Sequence, residues 1–232
     1  SLSVFGTEDN VLTGNLSGPY DVANYRITGD LTIADGDTAY LQAGTEFLFE
    51  ASVGFYIYGT LKAIGTETDS IIFDNFGDEK WRGFTLEGVN DETIFEYVRI
   101  SNAQEPQTTE DYFNDFKGGG MYLSYSDAII EEVTISHNQA LSGGGGIYIR
   151  NSSPTLTDVT ISNNITDTVG IYGIGHDGGG MYIRNSNPSI THSTISGNIS
   201  RGNGGGIYID ESSPIMQFVE FATPVLSLDF IP

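Results

Sequence analysis

Apolar and polar residues alternate along this chain in runs too short for a helix. In residues 144–164, GGGIYIRNSSPTLTDVTISNN, the alternations Ile147-Tyr148-Ile149 and Val159-Thr160-Ile161 flank an Asn-Ser-Ser-Pro cluster. Period-two alternation of this length predicts strands, and the Gly, Ser, Asn and Pro clusters between predict turns. The same grammar opens with a triple glycine at 118, 144, 178 and 204, so the intervals are 26, 34 and 26 residues. The segments opening at Val133, Val159, Ser193 and Val219 keep that spacing. The period is therefore 26, with eight extra residues in the middle interval, and an internal repeat decides the architecture first.

Strand, turn, strand, turn at a fixed period, with no hairpin dipeptide, describes a coil that climbs by one strand spacing per repeat. This is a parallel β-helix, an all-β solenoid whose units need neighbours to bury a core. Equivalent side chains then stack at ~4.8 Å. The predicted inward ladders are Met121/Ile147/Met181/Ile207, Leu123/Ile149/Ile183/Ile209 and Ile135/Ile161/Ile195/Phe221. Turn ladders are Ser126/Ser152/Ser186/Ser212, Pro154/Pro188/Pro214 and Asn138/Asn164/Asn198, the asparagines able to bond one another and the turn backbone while tolerating left-handed dihedrals. Tyr122, Tyr148, Tyr182 and Tyr208 form a predicted outward column.

These four repeats resemble the right-handed parallel β-helix repeats of bacterial secreted and surface proteins. DLTIADGDTAYLQAGTEFLFE, YGTLKAIGTETDSIIFDN, WRGFTLEG and IFEYVRISNA resemble the opening coils of the same family. The resemblance implies a right-handed β-helix over nearly the whole chain. It leaves function open, because lyases, hydrolases, binding modules and adhesins share the scaffold.

One elongated domain over residues 1–232 is expected. It comprises a cap or partial coil at 1–20, irregular coils at 21–117, regular coils at 118–222, and a C-terminal cap or a cut end at 223–232. The net charge of −22 disfavours nucleic acid, anionic membrane and polyanionic glycans unless calcium bridges them. No cysteine is present, and no apolar run approaches a membrane span. No signal peptide is visible, and an extracellular location with the signal removed is expected. No cofactor is required; calcium is left open. Asp35-Gly36-Asp37 reads as a plain turn in preference to a calcium loop, lacking the further acids of an EF-hand. Trp81, the only tryptophan, reads as corner packing in preference to a ligand platform.

Two surpluses break the period. Val98 and Val133 hold equivalent places but stand 35 apart, the excess falling in residues 103–117; the second excess falls in 165–177. Both enter the corner before a triple glycine, so two long loops are expected on one edge, ~10 Å apart at their bases. Long loops on a regular scaffold are often functional. The first carries Tyr112, Phe113 and Phe116 beside Glu110, Asp111 and Asp115; the second carries Tyr172, His176 and Asp177. With the tyrosine column and with Arg150 and Arg184 one outward position further on, they form the candidate ligand-binding set. Ring faces, carboxylates and guanidinium groups suit pyranose C–H faces and hydroxyls. The plain alternative is that tyrosine is simply a good strand residue.

The expected function is a non-catalytic carbohydrate-binding module for a neutral plant polysaccharide such as xylan, covalently linked to a secreted glycoside hydrolase. It is similar in kind to β-helical xylan-binding modules. No catalytic residue is assigned: Gly175-His176-Asp177 is the lone echo of the polygalacturonase pattern, without its other segments. The alternatives are a polysaccharide lyase or hydrolase acting in the loop-framed groove, and a surface adhesin or structural spacer. An ice-binding face is remote, because Arg99 and Glu220 end the Thr134/Thr160/Thr194 column after three rungs.

Overall fold

The computed structural model describes residues 10–105, 118–166 and 177–222. Every described strand pair is parallel, and each regular coil lays down strands on three faces. The first face holds Met121–Ser124, Ile147–Arg150, Met181–Arg184 and Ile207–Asp210. The second holds Ile129–Glu131, Thr155–Thr157, Ser189–Thr191 and Ile215–Gln217, and the third Thr134–Ser136, Thr160–Ser162, Thr194–Ser196 and Glu220–Ala222. A fourth, two-residue ladder of Gln139–Ala140, Ile165–Thr166 and Ile199–Ser200 marks the corner before the triple glycines. First and third faces merge at Asn24–Ile33, whose start pairs with Glu46–Phe49 and whose end pairs with Phe55–Ile57. At the N-terminal end of the described residues Asn10–Asn15 and Gly18–Tyr20 pair with the next coil; the rest of the 1–20 cap or partial coil lies outside the described residues. The cap expected at 223–232 lies outside the described residues.

The second face is the part the alternation missed. Its strands bring one residue each inward (Ile130, Leu156, Ile190), too few to register as a period. A left-handed residue bends the chain from this face to the next, and those positions hold Glu132, Asp158, His192 and Phe218, with φ of 53°, 53°, 50° and 55°. No Gly or Asn flags the bend. Val133 and Val159, expected to open the third strand, instead fill this corner as buried residues.

All three inward ladders pair in the expected register. The core changes character along the axis. Tyr25, Phe47 and Phe73 stack at 5.2 Å intervals in the N-terminal coils, and Trp81 lies 4.2 Å from Phe49 with its Nε1 donating to the Ser101 carbonyl. Trp81 is thus corner packing with its polar atom satisfied. From Met121 onward, Ile, Leu and Met replace the rings.

Side-chain amides and hydroxyls finish what the strands leave open. Asn164 Oδ1 accepts from Asn138 N and Nδ2, and Asn164 Nδ2 donates to the Ile135 carbonyl and Asn198 Oδ1. The left-handed dihedral that asparagine tolerates falls one residue before each ladder asparagine, on His137, Asn163 and Gly197, and on Asn102 in the coil before them. A regular backbone at the ladder position keeps each amide aimed along the helix axis. Ser126, Ser152 and Ser186 each donate their backbone N–H to the hydroxyl oxygen of the next coil's serine. Asp35-Gly36-Asp37 is a tight turn closed by Asp37 N to the Ala34 carbonyl, with Gly36 at φ 83°. A Cβ on Gly145 would sit 2.3 Å from the Gly179 carbonyl oxygen, so the triple-glycine corner stacks only without side chains.

Candidate binding face

Both insertions leave from the same corner. Gln104 bridges Gln139, which pairs with Ile165, and Ile165 pairs with Ile199, so the departure points form one ladder. The second insertion returns at Asp177, which bridges Gly143. Two buried acids hold the corner together. Glu105 Oε2 accepts from Leu141 N at 2.6 Å and Ser142 N at 3.0 Å, and its other oxygen takes the Ser142 hydroxyl. Asp177 Oδ1 accepts from Asn203 N at 2.6 Å. Asp177, counted among the candidate ligand contacts, therefore serves as a corner pin with that oxygen engaged. Tyr112, Phe113, Phe116, Tyr172 and His176 lie outside the described residues.

The corner borders the tyrosine column. A Cβ on Gly143 would meet Tyr182 Cδ2 at 2.9 Å and the Asp177 carbonyl at 3.3 Å, so the ring lies over the glycine at the insertion's base. Tyr122, Tyr148, Tyr182 and Tyr208 are in register on the outer side of the first face, with successive centroids 5.5, 4.8 and 5.1 Å apart. They do not form one open platform. Tyr148 is 2% exposed and Tyr122 8%, whereas Tyr182 and Tyr208 are half-buried. The outward position is as expected; solvent access is confined to the C-terminal half. In the other direction the column continues through Thr85 to Tyr56, which the repeat search missed because the triple glycine is absent there.

Beside the rings runs a second outward column, Ser124, Arg150, Arg184 and Asp210. Arg184 Nε lies 3.3 Å from Asp210 Oδ2, and its charge also acts on the neighbouring Tyr148 phenol. The Tyr182 hydroxyl donates to Asp210 Oδ2 at 3.4 Å. Burial, then the neighbouring Tyr148 and Asp210, pushes the Tyr182 phenol well up; burial also raises Tyr148, with Arg184 opposing. Burial pulls Arg184 down, but Tyr148, Tyr182 and Asp210 outweigh it and raise it. These phenols are therefore neutral donors at physiological pH and the guanidinium is charged. Asp210 was not singled out from sequence, although GGGIYID departs visibly from IYIR and MYIR at that position. The arrangement offers two half-buried rings, fixed donors and one carboxylate acceptor.

Among the described residues no group of three or more His, Asp or Glu side chains is placed to hold a metal ion. The described histidines do other work: His192 stacks on Phe218 at 5.0 Å, and the His137 carbonyl receives Lys80 Nζ. No described helix is long and apolar enough to cross a membrane.

No curated protein and no solved structure matches the chain. The family model for the right-handed beta helix region matches residues 83–220, well over half the chain and all four triple-glycine coils. With its parallel ladders, three-faced coils and axial asparagine stack, the chain belongs to the right-handed beta helix family.

Proposed function

We propose that this protein is a non-catalytic module that binds a neutral plant polysaccharide such as xylan, acting outside the cell as an appendage of a secreted glycoside hydrolase. The observation that carries this reading is the half-exposed Tyr182–Tyr208 pair, 5.1 Å apart and flanked by Arg184 and Asp210. Sugar C–H faces pack on such rings, and hydroxyls bond to guanidinium donors and carboxylate acceptors. Arg184 and Asp210 are already paired, so they meet a ligand pre-oriented and with little further ordering cost. Tyr122 and Tyr148 support the face from beneath the accessible surface.

Affinity electrophoresis against xylan, β-glucan, mannan and pectin tests the proposal. Retardation by one neutral glycan, lost in Tyr182→Ala and Tyr208→Ala without release of sugar, is expected. Release of unsaturated or reducing sugar would move the function to a lyase or hydrolase.

The burial of Tyr122 and Tyr148 favours a second reading, in which the column is packing and the solenoid is a spacer or adhesin segment. Failure to bind across the glycan panel would select it.

A further inference from the structure

In the outward column Glu87, Ser124, Arg150, Arg184 and Asp210 the two arginines stand side by side, with one acid at each end. Between residues 118 and 222 the chain has only three cationic side chains, Arg150, Arg184 and Arg201, and two of them occupy adjacent rungs of this face. Their backbones are in register, so they stand about 4.8 Å apart along the axis. Arg184 is paired with Asp210. Arg150 makes no ion pair with any described residue, and its neighbours in the column are Ser124 and Arg184. Two guanidinium groups at this spacing repel, and an anion beside Arg150 relieves that repulsion. The planar fork matches a carboxylate through two parallel hydrogen bonds.

From this we infer that Arg150 receives a carboxylate substituent carried by an otherwise neutral polysaccharide, such as a uronic acid branch, while the main chain lies over Tyr182 and Tyr208. The inference rests on the polysaccharide-binding reading above and names the substituent it selects. The net charge of −22 does not oppose it. Charges farther than a Debye length, about 8 Å at physiological salt, are largely screened, so a single carboxylate feels mainly the arginines. A polyanion would also run along the acidic remainder of the surface and is disfavoured.

The test compares glucuronoxylan with the same polymer after carboxyl reduction, using the wild-type protein and Arg150→Gln in affinity electrophoresis. Wild type is expected to bind the native polymer about tenfold more tightly than the reduced one, the effect of one charge-assisted contact. Arg150→Gln is expected to bind both polymers at the weaker level, with an unchanged far-ultraviolet circular dichroism spectrum. Should the variant fold poorly, the wild-type comparison of the two polymers decides alone. Equal wild-type binding to both overturns the inference and leaves the polysaccharide-binding reading standing. Binding to neither polymer, nor to any neutral glycan, overturns both.

Discussion

Asn164→Ala is the sharpest test of what holds successive coils together. The side chain is fully buried and makes four hydrogen bonds: two accepted from Asn138, one donated to the Ile135 carbonyl and one to Asn198 Oδ1. Alanine removes all four. Asn138 Nδ2 keeps a contact with the Ile100 carbonyl, Asn198 Oδ1 keeps the Asn164 N–H and the Ile135 carbonyl keeps its place in the strand ladder, so the main loser is the Asn138 N–H. Each buried group stripped of its partner costs roughly 1–3 kcal/mol. With the small cavity left behind, the total is roughly 2–4 kcal/mol. For a domain of this size that lowers Tm by about 10 °C. The damage falls at one coil interface of a quasi-one-dimensional stack, so the transition should also broaden as the two sides lose cooperativity. Thermal unfolding followed by circular dichroism measures both effects, with Ser162→Ala on the outer side of the third face as a control. A loss under 2 °C with unchanged width would refute the reasoning. It would mean that the aliphatic ladders alone couple the coils.

Gly145→Ala places a methyl group 2.3 Å from the Gly179 carbonyl oxygen and should destabilise by more than the strand-propensity difference; a neutral Tm would contradict the close stacking of the corner. Trp81→Ala removes the ring stacked on Phe49 and the bond to the Ser101 carbonyl, and should cost about 3–5 kcal/mol in urea unfolding. Glu132 has its carboxyl raised by partial burial and then by Asp158, Glu131, Glu67 and Glu96. The folded state holds that proton more tightly than the unfolded chain, so this group adds stability as pH falls through its folded value and withholds it at neutral pH. Glu132→Gln should therefore raise Tm at pH 7, with the gain vanishing below about pH 4, near the ordinary carboxylate value; a gain independent of pH would refute the electrostatic cause. Tyr148→Phe keeps the ring stack and removes the hydroxyl whose neighbour is Arg184, and should leave Tm unchanged within about 2 °C while weakening glycan retardation in affinity electrophoresis; full retardation would show that this phenol does not serve the site.

The periodic features were legible in the chain. Triple glycines at 118, 144, 178 and 204 fixed the coil length, and residues one period apart had to stack because a parallel solenoid superposes them. The inward Ile and Met ladders, the serine and asparagine stacks and the shared corner of the two insertions all follow from that superposition. What the sequence left undecided was local geometry without a compositional mark. Left-handed bends on Glu132, Asp158, His192 and Phe218 create a whole face, yet none of these residues announces a bend, because tertiary stacking and not intrinsic preference holds them there. Burial of an outward residue is likewise a property of its surroundings in space. Tyr122 and Tyr208 occupy the same position in their repeats, but one is closed off and the other is half-buried, and the three coil steps between them are invisible to the repeat. The pairing of Asp210 with Arg184 and Tyr182 has the same origin: 26 residues separate the two charged side chains in the chain, and a single strand spacing separates them in the fold.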